Sequence, residues 1–190
     1  MTNSMNRGFT LIETLFAILI LTLAIAGPLT IAARGLNAAL IAKDQTTAFY
    51  LAQDAIEYIR YARDSACLSA GATPCPASTW LSTVSACEGA NGCYLDSSNN
   101  HPAAPTSCSA AGCPVLNYDP TTGLYTYALL GGSGTATAPT PFTRTIQIIT
   151  PVGSGTTNPG EATASTTVSW MDVGGVPRSI SVHEDIFNWQ

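Results

Sequence analysis

The sequence predicts an α+β fold, in which one long N-terminal helix packs on an antiparallel sheet of about four strands. Residues 14–33 carry no charge and are long enough to cross a membrane as a helix. Apolar residues then recur at helical spacing, and near the C-terminus they alternate with polar ones as in strands. All six cysteines lie between these parts. We therefore divide the chain into a leader (1–8), a hydrophobic helix (9–33), its amphipathic continuation (34–66), a cysteine-rich loop (67–114) and a sheet (115–190).

The N-terminal helix begins after a short polar leader that ends in Arg7-Gly8, and Glu13 is its sole charge before Arg34. A carboxylate inside a membrane-length helix costs about 2.5–3.5 kcal/mol, so such a group usually has a partner. If the chain were cut between Gly8 and Phe9, the new α-amino group would be a cation that Glu13 can neutralise.

The segment Gly-Phe-Thr-Leu-Ile-Glu at residues 8–13, followed by the apolar run, resembles the start of the type IV prepilin family, which includes pilins and type II secretion pseudopilins. The resemblance covers about the first quarter of the chain. It implies that a prepilin peptidase cuts after Gly8 and N-methylates Phe9. It also implies that Glu13 pairs with the terminal amine of a neighbouring subunit during assembly.

The same resemblance implies where the protein works and with what. The expected partners are other pilin or pseudopilin subunits, the prepilin peptidase and an inner-membrane assembly platform. The expected location is the cytoplasmic membrane, crossed once, with the C-terminal domain outside the cytoplasm. After assembly, the subunit would belong to a surface filament or a periplasmic pseudopilus.

Two other interpretations of the N-terminus remain open on the residues alone. A plain single-pass anchor needs the apolar run and nothing more. A secretory signal peptide would use Ala24-Ile25-Ala26 as its cleavage site, although Arg7 is the only basic residue before the apolar core and Glu13 interrupts that core.

The second part of the helix is predicted to be amphipathic. Pro28 removes a backbone donor and is expected to kink the helix rather than end it. Arg60 and Asp64 are four residues apart and predict an ion pair worth a few tenths of a kcal/mol. A helix from Phe9 to about Ala66 would be on the order of 85 Å long, too long for a globular core. Small and apolar residues with three-and-four spacing predict its buried face: Ala48, Leu51, Ala52, Ala55, Ile56 and Ile59.

The cysteine-rich loop has no periodicity and therefore predicts a segment stabilised by disulfides rather than by regular structure. Six cysteines allow fifteen complete pairings, among which the sequence does not choose. Zinc is the alternative, but no Cys-x-x-Cys pair occurs. Trp80 and Tyr94 are predicted to be buried within this loop. The candidate disulfide residues are Cys67, Cys75, Cys87, Cys93, Cys108 and Cys113.

A calcium loop is only weakly suggested by Asp96, Ser98 and Asn100, which alternate oxygen-bearing side chains. His101 occupies the position where such a loop needs glycine, and Ser107 stands where it needs the closing carboxylate. We therefore predict a polar loop, with no metal and no cofactor.

Four segments near the C-terminus are predicted to be strands. The turn-forming residues 119–123 precede the first strand, and Gly174-Gly175 lies between the last two, which predicts a hairpin. The predicted strands are residues 124–130, 142–150, 164–172 and 178–184.

Composition disfavours both catalysis and nucleic-acid binding. Charged residues make up 10% of the chain and the net charge is −5, so bulk electrostatics do not attract phosphate backbones. C-terminal to the helix the only basic side chains besides histidine are Arg144 and Arg178. The two histidines, His101 and His183, accompany no recognisable nucleophile or phosphate-binding glycine loop. We expect that the chain is not an enzyme.

A second, looser resemblance is to the minor pilins called PilV and the type II secretion minor pseudopilin I. It rests on the helix segment 48–53 with Glu57 and Arg60, and on a late Val-x-Trp at residues 168–170 with Trp189 near the end. This resemblance implies a minor filament subunit. The alternatives are a surface adhesin that binds through its disulfide-braced head, and a membrane-anchored domain without a filament role.

Overall fold

A computed structural model describes residues 8–71, 75–76, 79–97, 104–127, 138–150 and 160–188. Helix α1 (Leu11–Ala70) runs on past the predicted end at Ala66, and it continues through Pro28 rather than ending there. The chain divides into two units, Met1–Ala42 and Lys43–Gln190, and α1 contributes to both.

In the first unit every described side chain up to Leu40 is exposed. Three threonines interrupt the apolar surface, and each satisfies its own hydroxyl. Thr14, Thr22 and Thr30 donate to the backbone carbonyls three residues earlier, at 2.8–2.9 Å. Such local bonds let a hydroxyl enter an apolar environment without an unpaired donor.

The second unit contains one antiparallel sheet, so the predicted α+β class is confirmed. The sheet has seven strands rather than about four. The three extra strands lie in or just after the cysteine-rich loop, and two of them have only two residues each, too few to show an alternating pattern. The strands are β1 (Cys93–Tyr94), β2 (Thr106–Ser107), β3 (Val115–Asp119), β4 (Leu124–Thr126), β5 (Ala138–Ile149), β6 (Glu161–Met171) and β7 (Pro177–Phe187).

Strand β5 is the centre of the sheet. One edge of β5 pairs with β6, which pairs with β7 over its whole length. The other edge of β5 is shared: β3, with β4 beside it, pairs near its start, and β1, with β2 beside it, pairs at Ile146. The register sets Thr143 opposite Ser169 and Ile148 opposite Ala164.

The sheet buries its apolar face against the second half of α1. Alternate residues of β5 and β6 are buried, and all six residues of the predicted helix face are buried as well, which confirms that prediction. The core has two clusters. One contains Ala48, Leu51, Ala52, Leu116, Phe142, Val168 and Trp170. The larger one includes Ile56, Ile59, Trp80, Ile146, Ala164 and Ile186.

The cysteine-rich loop is more regular than predicted, because it contains a 3₁₀ helix (Ser82–Cys87) as well as β1 and β2. Trp80 is 1% exposed, and Tyr94 is half-buried with its ring 4.8 Å from that of Tyr127. The six cysteines form three local disulfides, Cys67–Cys75, Cys87–Cys93 and Cys108–Cys113.

The predicted ion pair between Arg60 and Asp64 is wrong. Arg60 binds Glu57 on its own helix at 2.7 Å and Glu184 on β7 at 2.6 Å, while Asp64 accepts from Arg63. The hydrogen bond from Arg60 to Glu184 raises the pKa of the guanidinium. Helix spacing does not reveal Glu184 as a partner of Arg60, because Glu184 lies on a strand far away in the sequence.

Candidate functional site at the helix N-terminus

The N-terminal site consists of Gly8, Phe9 and Glu13. Phe9 is 81% exposed, and a Cβ atom added at Gly8 would meet no described atom within 4 Å. Packing within the described chain therefore does not require glycine at position 8. Any requirement must come from a molecule that handles this segment.

Thr10 and Glu13 start the helix together. The Glu13 N–H donates a long hydrogen bond to Thr10 Oγ1 at 3.4 Å, and the Thr14 N–H donates to the Thr10 carbonyl at 3.2 Å. Thr10 thus caps α1, and Glu13 is its third residue, the Thr-x-x-Glu spacing of a capping box. A carboxylate in this first turn also interacts favourably with the helix dipole. The sequence analysis missed this role, although the spacing was readable.

An uncharged run follows Glu13 directly. Residues 14–33 rise about 30 Å as a helix, which matches the thickness of a bilayer's hydrocarbon core. Within the part of the chain that the structure describes, α1 is the one helix long and apolar enough to cross a membrane. Arg34 is the next charge, so Glu13 and Arg34 bracket the run.

Comparison with protein families finds one match in this segment. Residues 3–27 match the family model described as the prokaryotic N-terminal methylation motif. No curated protein and no solved structure shows significant similarity to the chain.

The methylation motif contains Gly8, Phe9 and Glu13 and ends at Gly27, so it includes no residue of the second unit. Proteins with this motif are handled by a peptidase and assemble with other pilin-like subunits, and such subunits are structural rather than catalytic. A membrane anchor formed by α1 fits both the motif and the apolar run.

The second unit contains a buried charge that the sequence analysis did not assign. Arg144 is 1% exposed. Its Nη1 donates to the Leu51 carbonyl at 3.0 Å and to Asp54 Oδ2 at 2.8 Å, and its Nη2 donates to the Leu95 carbonyl at 2.8 Å. Arg144 therefore joins α1, β5 and the residue after β1. The signal was an arginine at an inward position, between Phe142 and Ile146.

Asp54 has a second donor and remains close to water. Its side chain is 46% exposed, and its Oδ2 also accepts from Ser97 Oγ at 2.5 Å. The guanidinium of Arg144 lies 6.0 Å from the centroid of the Tyr127 ring. This arrangement fixes elements relative to each other within the second unit, so we assign Arg144 a positioning role.

Of the residues considered for a calcium loop, the structure describes Asp96 and Ser107. Asp96 Oδ2 accepts from Thr126 Oγ1 at 2.6 Å and from the Tyr127 N–H at 3.1 Å. Ser98, Asn100 and His101 lie outside the described residues. Within the described ranges, no group of three or more His, Cys, Asp or Glu side chains is placed to hold a metal ion. His183 lies exposed on β7, and its neighbour Glu184 is engaged by Arg60.

Proposed function

We propose that this chain is a minor pilin or pseudopilin, a structural subunit that is cut after Gly8, N-methylated at Phe9 and assembled through α1. The proposal rests on one observation. The matched methylation motif, residues 3–27, overlaps the membrane-length uncharged run at residues 14–33, whose side chains are all exposed. An exposed apolar helix must be covered, first by lipid and later by other helices.

The chemistry of Glu13 supplies a reason for the order of events. Before assembly the carboxylate lies at the start of the apolar run, near the edge of the membrane. After cleavage, Phe9 carries an α-amino group, and an ion pair in an apolar bundle costs far less than an isolated charge. Glu13 of an incoming subunit is therefore drawn to the amine of its neighbour.

The second unit supports a subunit with its own head. One face of α1 between Ala48 and Ala66 is buried against the sheet. Three disulfides crosslink residues 67–113, between this part of the helix and β3. Assignment as a minor subunit rests on the looser resemblance in the helix segment 48–53 and at residues 168–170. Disulfides persist in oxidising compartments, which supports a head outside the cytoplasm.

An adhesive role for the head is not proposed. The large aromatic residue of the cysteine-rich segment, Trp80, is buried in the core, and Tyr94 packs on Tyr127. These rings stabilise the head itself.

The test is Glu13→Ala compared with Glu57→Ala, which removes an exposed carboxylate of the second unit. We expect both variants to insert into membranes and to be processed normally. Incorporation into filaments or pseudopili should fall at least about tenfold for Glu13→Ala, given the cost of leaving a charge unpaired in an apolar bundle, and remain unchanged for Glu57→Ala. Full incorporation of Glu13→Ala would contradict the assembly role.

A further inference from the structure

Two of the three disulfides are part of the core. Cys87 and Cys93 are both 0% exposed, and Cys67 and Cys75 are buried as well. All four side chains belong to the larger core cluster, among apolar residues of the helix and the sheet. A thiol in solution therefore reaches these two bridges only when the core opens.

The third disulfide, Cys108–Cys113, belongs to neither core cluster of the described residues. Cys108 is buried, but Cys113 is only half-buried. The four residues between them, Ser-Ala-Ala-Gly at 109–112, are all exposed, and so is Pro114. Because the side chains of residues 109–112 are small, they hinder a molecule that approaches Cys113 very little.

Both ends of this loop are held by bonds other than the disulfide. The Cys108 N–H donates to the Gly92 carbonyl at 2.9 Å. At the other end, Val115 of β3 pairs with Thr143 of β5. We therefore expect the fold of the second unit to survive cleavage of the S–S bond. The two thiols would also stay within reach of each other across a short loop, which favours renewed closure.

The Cys113 sulfur already has partners for the reduced state. Thr145 Oγ1 donates to Cys113 Sγ at 3.2 Å, and such a bond becomes stronger when the sulfur carries the charge of a thiolate. A protonated Cys113 thiol has an acceptor too, because the Cys93 carbonyl oxygen lies 3.7 Å from Sγ. Each form of a reduced Cys113 therefore has a hydrogen-bond partner.

We propose that Cys113 is a thiol–disulfide exchange site, at which a small soluble dithiol opens the Cys108–Cys113 bridge while the other two bridges stay closed. A thiolate of the dithiol attacks Cys113 Sγ, the S–S bond breaks, and Cys108 leaves with the electron pair and takes a proton from water. The second thiolate of the dithiol then attacks the reagent sulfur that is bound to Cys113. Cys113 leaves as a thiolate that Thr145 stabilises. The dithiol is oxidised to a disulfide, and the two cysteines are reduced.

This exchange concerns the second unit alone and does not depend on the membrane anchor. The opened loop presents two thiols for bond formation with another molecule, while both bridges of the core remain intact.

The test uses the full-length oxidised chain in detergent micelles, with dithiothreitol as the dithiol. Free thiols are trapped with iodoacetamide at successive times, and mass spectrometry of proteolytic fragments identifies the alkylated cysteines. We expect Cys108 and Cys113 to be alkylated at least about tenfold faster than the other four cysteines, because access controls thiol exchange. Tryptophan fluorescence, which reports on the buried Trp80 and Trp170, should stay unchanged while this bridge opens.

Two outcomes would overturn the exchange site. One is that all three bridges open at equal rates, or that another bridge opens first. The other is that the fluorescence changes together with the first alkylation, since the bridge would then open only through unfolding of the core.

A matched pair of variants on β5 tests the contribution of Thr145. Thr145→Val removes the hydroxyl that donates to Cys113. Thr143→Val removes the hydroxyl of another half-buried threonine, two residues earlier on the same face of the strand. At a fixed ratio of reduced to oxidised dithiothreitol, the ratio of open to closed Cys108–Cys113 should fall at least about threefold in Thr145→Val, as expected for the loss of a charge-assisted hydrogen bond. It should stay unchanged in Thr143→Val. An unchanged ratio in Thr145→Val would contradict the release of Cys113 as a stabilised thiolate.

Discussion

The two halves of α1 are both helical, but their side chains differ in burial. Up to Leu40, every described side chain on all sides of the helix is exposed, and most of those side chains are apolar. Between Ala48 and Ala66 one apolar face is buried by the sheet, while the aromatic residues Phe49, Tyr50 and Tyr61 remain exposed elsewhere on the helix.

The two halves therefore differ in what buries their apolar side chains: the chain's own sheet in one case, and other molecules in the other. The second half is completed by its own sheet and disulfides, so its stability is a property of the single chain. The first half gains no hydrophobic stabilisation until lipid or neighbouring helices cover it. Mutations in the two halves should therefore have different kinds of consequence.

The largest expected effect is on processing. Gly8→Leu should abolish the mature N-terminus if the proposed peptidase requires glycine before the cut, because packing in the described chain does not require it. The control is Gly35→Leu, at an exposed glycine of the same helix where an added side chain also meets nothing within 4 Å. We expect mature-size protein from the control and full-length precursor from Gly8→Leu, measured by intact mass. Mature-size protein from both variants would contradict the prediction that the peptidase recognises Gly8.

The next effect is on the fold of the second half. Arg144→Met should lower the free energy of unfolding of the second unit by about 3 kcal/mol, because two buried carbonyls and Asp54 lose their donor. Asp54→Asn should cost only about 1 kcal/mol, since Asp54 is half-exposed and the amide can still accept. Urea unfolding in detergent measures both. Membrane insertion should be unchanged, and equal losses for the two variants would contradict the assigned role of Arg144.

These residues also show where sequence reasoning succeeds. Periodicity predicted the buried helix face and the positions of β4 to β7, although residues 128–130 of the first predicted strand lie outside the described residues. It missed β1 and β2, which are too short to show alternation, and the five-residue β3, whose buried residues Leu116 and Asn117 are adjacent rather than alternate. It gave Arg60 the wrong partner because Glu184 is distant in sequence. The pairing of the cysteines was left open because six cysteines allow fifteen complete pairings, and spacing alone does not select the local one that the structure shows.

Sequence reasoning likewise assigned a role to one charged residue, Glu13, and not to the other, Arg144. Glu13 was found because one carboxylate in a long apolar run is conspicuous. The capping role of Thr10 was missed because the Glu13 carboxylate was interpreted only as a partner for a terminal amine. Arg144 lies within the predicted strand 142–150, but the sequence analysis considered it only as one of the few basic side chains and assigned it no partner.

The disulfides sharpen the comparison further. The double variant Cys67→Ser, Cys75→Ser should destabilise the second unit by about 2–3 kcal/mol, because this bridge closes a short loop in the unfolded chain. Thermal unfolding with and without reductant measures the effect. Reductant should lower the melting temperature of the unaltered protein more than that of the variant. Insertion of the first half into membranes should not respond to reductant.

The smallest expected effect is the pH dependence of the β6–β7 turn. Hydrogen bonds from Val176 and Gly174, and the bond to Arg178, lower the pKa of Asp172 below its usual 3.8. The stability from the ionised carboxylate is therefore present above about pH 4 and is lost as the pH falls through the lowered pKa. Asp172→Asn should be less stable than the unaltered protein at pH 7, and the difference should shrink in acid. Exposed Glu161→Gln provides the control, and a constant difference across pH 2–7 would contradict this assignment.

The most direct test of the proposed function is mass spectrometry of the N-terminal peptide from native cells, in sheared surface material and in the membrane fraction. We predict that the mature chain begins at Phe9 and carries one N-methyl group. Its presence in sheared material would identify a surface pilus, and its restriction to membranes would identify a pseudopilus or a scarce subunit. A mature chain that begins at Met1, or at Gly27 after a signal-peptide cut, would contradict the proposed function.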